Sequence, residues 1–111
     1  MRLQAYERLA MLVERTHPRQ LIPRVYTSGM TVQELQQALV ITINAEFEHN
    51  LSQQIYISEK CWSVIIASKN ATSQIIKKTS EDSTITNAQE LREAILKRML
   101  NNAPPSATAL A

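Results

Sequence analysis

The chain has 111 residues, enough for one domain with a single core, and a net charge of +2, too small to imply a nucleic-acid partner. One glycine excludes glycine-rich phosphate loops, and one cysteine excludes an internal disulfide and any zinc site built from several cysteines. No apolar run approaches the ~18 residues of a membrane span, and the charged start of the sequence lacks the apolar core of a signal peptide.

The first thirty residues predict one helix followed by a docked loop. In residues 2–16 the apolar side chains share one helical face, which comprises Leu3, Tyr6, Leu9, Ala10 and Val13. Pro18 should end this helix, because the residue before a proline is pushed away from helical geometry. Residues 17–26 contain two prolines, so we expect a docked loop or one short turn there. The sequence Thr27-Ser28-Gly29 then indicates a turn.

Residues 31–51 form the longest amphipathic stretch and predict the central helix. Thr31 and Glu34 have the spacing of a capping box. A four-residue apolar repeat follows, with helical rather than strand periodicity, at Leu35, Leu39, Ile43, Phe47 and Leu51. The apolar face winds around such a helix, since each four-residue step advances about 40°. We therefore expect this helix to contact more than one neighbour.

Two further helices are predicted after a connector. Residues 53–57 alternate polar and apolar, as a frayed helix end or a short extended connector would. Ser58 is a suitable N-cap for a third helix, which Trp62 and four isoleucines line. Asn87 and Glu90 resemble a capping box at the start of a fourth helix, whose apolar face is Leu91, Ile95 and Met99.

These elements predict an all-α fold, a compact bundle of about four helices with a short irregular or extended connector. Residues 1–102 should form a single helical domain and residues 103–111 a disordered C-terminal tail. Charge is unevenly distributed: residues 31–59 hold four Glu and no basic group, and residues 60–80 hold four Lys and no acid. Oppositely charged segments of this kind suggest that they are neighbours in the fold.

The end of the central helix carries a candidate polar interaction patch. On a helical wheel its four members cluster within about 100°, and they are Glu46, His49, Asn50 and Gln53. The same side is apolar earlier in the helix. The polar half could therefore contact a polar groove, a subunit or a ligand. The alternative is a helix end that is simply solvated. Glu46 lies one turn from His49 and could pair with it.

Two other functions compete with an interaction role. Glu46 and His49 have the Glu-x-x-His spacing of di-iron bundles, but such sites need a second copy of the motif, which the sequence lacks. A metal-dependent or hydrolytic enzyme that uses these two residues is therefore only the alternative to an interaction module. We predict no catalytic residue, metal or cofactor. Arg8, Arg15 and Arg19 form a candidate basic face, for which a solvated surface is favoured over weak nucleic-acid binding.

Five stretches of the chain carry a resemblance to known sequences, namely residues 2–9, 29–30, 34–39, 46–57 and Trp62. They resemble an uncharacterised family of short bacterial proteins with no assigned activity. The resemblance covers about residues 1–76. It implies a membrane-spanning helix upstream of residue 2 in many members, and it supplies no catalytic residues.

Together these observations predict a non-enzymatic helical module that forms a homo-oligomer or binds another protein. The expected location is the cytoplasm, with a tether to the inner face of the membrane in the native protein if the family resemblance holds.

Overall fold

The computed structural model describes residues 2–101, within which every regular element is helical. Five α-helices and one 3₁₀ helix follow one another. They are α1 (Arg2–Thr16), α2 (Pro18–Val25), α3 (Val32–His49), the 3₁₀ helix (Leu51–Tyr56), α4 (Glu59–Ser80) and α5 (Ala88–Asn101). The predicted all-α class is confirmed, and the count of about four helices is too low. The tail predicted for residues 103–111 lies outside the described residues.

The element missed by the sequence analysis is α2, where a loop or a single turn was expected. Pro18 occupies the first helical position, where its missing N–H costs nothing. His17 caps the helix: its Nδ1 accepts a hydrogen bond from the backbone N–H of Arg19 at 3.1 Å. Pro23 lies inside the helix but removes only one backbone hydrogen bond. The burial of Leu21 and Ile22, at 0% and 1% exposure, offsets that loss.

Helix α3 is the centre of the fold and contacts all four other α-helices and the 3₁₀ helix. Its capping box forms as predicted, with Thr31 and Glu34 exchanging hydrogen bonds of 3.0 Å. The four-residue repeat lies in the core up to Phe47. Leu51 is 51% exposed, because α3 ends at His49 and Leu51 begins the 3₁₀ helix. Of the two alternatives for residues 53–57, a frayed helix end or an extended connector, the extended one is wrong, because residues 51–56 form the 3₁₀ helix.

Helix α1 has the predicted bounds, but a different face is buried. The core side consists of Ala5, Leu9, Leu12 and Thr16. Four of the five residues assigned to the buried face are exposed instead, namely Leu3, Tyr6, Ala10 and Val13. Helix α1 therefore carries one apolar face in the core and a second one on the surface.

Helices α4 and α5 begin at the predicted caps. Ser58 Oγ accepts the N–H of Cys61 at 3.1 Å, and Asn87 Oδ1 accepts the N–H of Glu90 at 2.8 Å. The fully buried Thr79 joins the two helices, since its hydroxyl donates to the Ile75 carbonyl and accepts a hydrogen bond from Arg98. Among residues 2–101, no helix combines the length and apolar character needed to cross a membrane.

Candidate interaction surface

The fold separates the four residues of the polar patch that was predicted at the end of α3. Glu46 turns toward the N-terminal helices and is held there by two arginines. Arg15 donates to it through Nε and Nη2, at 3.2 and 3.1 Å, and Arg24 donates through Nη1 at 3.2 Å. Arg24 also donates to the Arg15 carbonyl at 2.8 Å. Glu46 thus joins α1, α2 and α3, and its expected pairing with His49 does not form.

This arrangement stabilises the ionised carboxylate. The hydrogen bonds from Arg15 lower the pKa of the Glu46 carboxyl below its ordinary value of 4.5, and Arg24 contributes in the same direction. Partial burial opposes them. The same contact raises the pKa of the Arg15 guanidinium above its ordinary value. A carboxylate held in this way is poorly suited to act as a general base, which needs a pKa closer to the working pH.

The other three members of the patch lie apart from this cluster. Asn50 caps the end of α3, where its Nδ2 donates to the Glu46 carbonyl at 2.8 Å. His49 is the last residue of α3 and is exposed, while Gln53 belongs to the 3₁₀ helix and is half-buried. No group of three or more His, Cys, Asp or Glu residues that could hold a metal ion occurs between residues 2 and 101.

The candidate basic face is also broken up by the fold. It required α1 to continue to Arg19, but α1 ends at Thr16 and Arg19 belongs to α2. Arg15 is paired with Glu46. Of the four Glu in residues 31–59, Glu46 is bound by arginines of the first segment. Lys69, from the basic residues 60–80, lies 5.6 Å from the ring centroid of Phe47.

A surface cleft that was not predicted lies between α1, α3, α4 and α5. It has a volume of about 550 Å³ and is mostly apolar. Val13, Thr16 and His17 form one wall, and Ile43, Phe47 and Met99 reach it from α3 and α5. The largest share comes from α4, whose contribution is Val64, Ile65, Ala67, Ser68, Lys69, Ala71, Thr72 and Ile75.

The α4 side of the cleft is unusually open. Val64 is 63% exposed, and the small residues Ala67, Ser68 and Ala71 beside it are also exposed. Of the 22 residues in α4, only Ile76 and Thr79 are buried, both near its C-terminal end. Small residues such as Ala67 and Ala71 allow another helix to pack closely, and in this fold both are exposed.

His17 links the cleft to the local structure of α2. Its ring lines the cleft and also caps α2 through Nδ1. Burial lowers the pKa of His17 below 6.5, and the nearby charge of Arg19 lowers it further. A cap of this kind requires the neutral imidazole, since a protonated Nδ1 cannot accept the Arg19 N–H.

The sequence contains a signal for this surface. The apolar residues of α1 outnumber what one helical face can hold, and α4 has apolar and small residues around much of its circumference. The sequence could not show which of the faces is turned outward.

Comparison with known proteins gives a family but no activity. A family model described as a family of unknown function, DUF7935, matches residues 1–111. This confirms the resemblance to an uncharacterised family and extends it from about residue 76 to the whole chain. No curated protein and no solved structure matches the chain.

Proposed function

We propose that this chain, which belongs to the family of unknown function DUF7935, is a non-enzymatic helical module that self-associates through the apolar cleft and its rim. The observation that carries the proposal is the poor burial of α4. A 22-residue helix with two buried residues is only partly covered by its own domain. By comparison, the 18-residue α3 buries five.

The chemistry of the cleft favours a protein partner. Its lining is apolar, and the small residues on α4 allow another helix to come close. Exposed apolar side chains continue beyond the cleft along α1, where Leu3 is 71% and Tyr6 40% exposed. Packing by a second copy would remove this surface from water, at about 25 cal/mol for each Å² of apolar area buried. A two-fold dimer is the simplest assembly that covers the same surface on both copies.

Paired substitutions with matched exposure test the proposal. Val64→Asp places a carboxylate on the rim of the cleft, and Ile41→Asp places one on the outer side of α3. The two wild-type side chains are similarly exposed, Val64 at 63% and Ile41 at 66%. Sedimentation equilibrium should show that Val64→Asp raises the dimer dissociation constant by at least about tenfold, because the charge would be desolvated in the dimer. Ile41→Asp should change it by less than about threefold. Equal effects would contradict the location of the interface.

The family resemblance adds a location to this proposal. If an apolar helix precedes Met1 in the native protein, the module acts in the cytoplasm beside the inner face of the membrane. Fractionation of cells that express the native protein tests this. Recovery in the membrane fraction is the expected result, and recovery only in the soluble fraction would contradict it.

A further inference from the structure

The exposed apolar faces of α1 and α4 differ in the charges beside them. On α1, the exposed apolar residues recur at one helical face, and they are Leu3, Tyr6, Ala10 and Val13. At about 100° per residue, Glu7 and Glu14 lie next to this face, while Arg8 and Arg15 lie on the far side of the helix. Within residues 3–16, the exposed face of α1 is therefore apolar and acidic.

The corresponding face of α4 is apolar and basic. Val64, Ala67 and Ala71 lie on it, and the same helical geometry places Lys60 and Lys78 on that side at its two ends. Glu59 and Lys77 point to a different side of the helix. Glu7, Glu14, Lys60 and Lys78 are all exposed, and none of the ion pairs within residues 2–101 includes them.

Both faces border the same cleft. Val13 belongs to the exposed face of α1 and lines the cleft, as does Val64 from α4. The two helices are also in contact with each other within one chain. One side of the molecule thus presents an acidic apolar helix beside a basic apolar helix.

We infer that two copies associate about a two-fold axis so that α1 of each copy packs against α4 of the other. This inference rests on the proposed function and specifies its interface. In this arrangement each acidic face meets a basic one, twice in every dimer. The larger side chains of α1, Leu3 and Tyr6, also meet the small residues of α4, so the shapes are complementary.

Pairing α4 with α4 is disfavoured by the same charges. In an antiparallel pair that crosses near Lys69, Lys60 of one copy lies opposite Lys78 of the other. In a parallel pair, each of these lysines lies opposite its own equivalent. Both arrangements bring like charges together, which weakens association and selects against them.

Charge reversal on one helix at a time tests the inference. The first variant carries Glu7→Lys and Glu14→Lys, and the second carries Lys60→Glu and Lys78→Glu. Each variant alone should form dimers about tenfold more weakly than the wild type, because every α1–α4 contact then joins like charges. Mixed in equal amounts, the two should form a heterodimer within about threefold of wild-type affinity, because both contacts are then attractive.

The mixture also controls for misfolding, because a variant that fails to fold cannot form the heterodimer. A matched control for the first variant is Glu48→Lys with Glu93→Lys, which makes the same change in net charge at exposed positions on α3 and α5. It should dimerise like the wild type. If the wild type is a dimer but neither reversal weakens it, or if two variants with the wild-type circular dichroism spectrum form no heterodimer, the α1–α4 pairing is wrong while self-association stands. A wild-type chain that stays monomeric overturns both.

Discussion

Replacement of Glu46 by Gln tests whether the polar end of α3 supports the fold rather than a reaction. The carboxylate accepts three hydrogen bonds from Arg15 and Arg24, and its side chain is 17% exposed. Hydrogen bonds to charged groups contribute roughly 1.5–3 kcal/mol, but the two arginines are 54% and 38% exposed, so water screens the interaction. We expect Glu46→Gln to lower the free energy of unfolding by about 1 kcal/mol. In a domain of this size, that corresponds to a decrease in Tm of about 4–8 °C.

His49→Gln is the matched control, since His49 is exposed at the end of the same helix. It should change the free energy of unfolding by less than about 0.5 kcal/mol. Both variants are compared with the wild type by thermal and urea unfolding followed by circular dichroism. A Glu46→Gln variant as stable as the wild type, or a His49→Gln variant that is equally destabilised, would refute the assigned role of Glu46.

The same carboxylate gives a pH dependence with a defined sign. The pKa of Glu46 is lower in the folded chain than its ordinary value of 4.5, so the unfolded state binds more protons in that interval. The contribution to stability is therefore present above about pH 4.5 and is lost as pH falls through the folded pKa. The difference in stability between the wild type and Glu46→Gln should accordingly shrink in acid.

Two further predictions concern the cap of α2 and the anchoring of α4. The pKa of His17 lies below 6.5 in the folded chain, so the wild type should lose stability as pH falls from 7 to 5. His17→Ser keeps a cap that does not titrate. In urea unfolding, this variant should therefore lose less stability than the wild type over the same pH range. A loss as large as the wild type's would contradict the role of the imidazole. Ile76→Ala should lower the free energy of unfolding by roughly 2–5 kcal/mol, because Ile76 is fully buried. The same change at Ile41, 66% exposed, should cost less than about 1 kcal/mol, and similar costs at both positions would contradict the packing of α4.

The parts of the fold that could be predicted depend on local signals. Thr31 and Glu34 lie three residues apart and fix the start of α3, and the four-residue repeat identifies its buried face. The repeat fails at Leu51 because α3 ends two residues earlier, at His49, and periodicity alone does not reveal that end. In α1 the bounds were correct but the buried face was not. Two apolar faces share that helix, and the choice between them is made by tertiary packing.

The candidate site depends on contacts between residues that are distant in sequence. Glu46 is 31 residues from Arg15 and 22 from Arg24, so its partners could not be identified from local spacing. The nearer His49 seemed a suitable partner only because one helical turn separates the two. The cleft is even harder to predict from the sequence. Residues of four helices line it, and it is open because the other three helices leave part of α4 uncovered.

The central claim is self-association, and the mass of the wild-type protein in solution tests it most directly. Sedimentation equilibrium over a range from about 1 to 300 µM should show a rise from the 12.6 kDa of one chain toward twice that value. The account predicts a single monomer–dimer equilibrium within this range. A mass of 12.6 kDa at every concentration would contradict it.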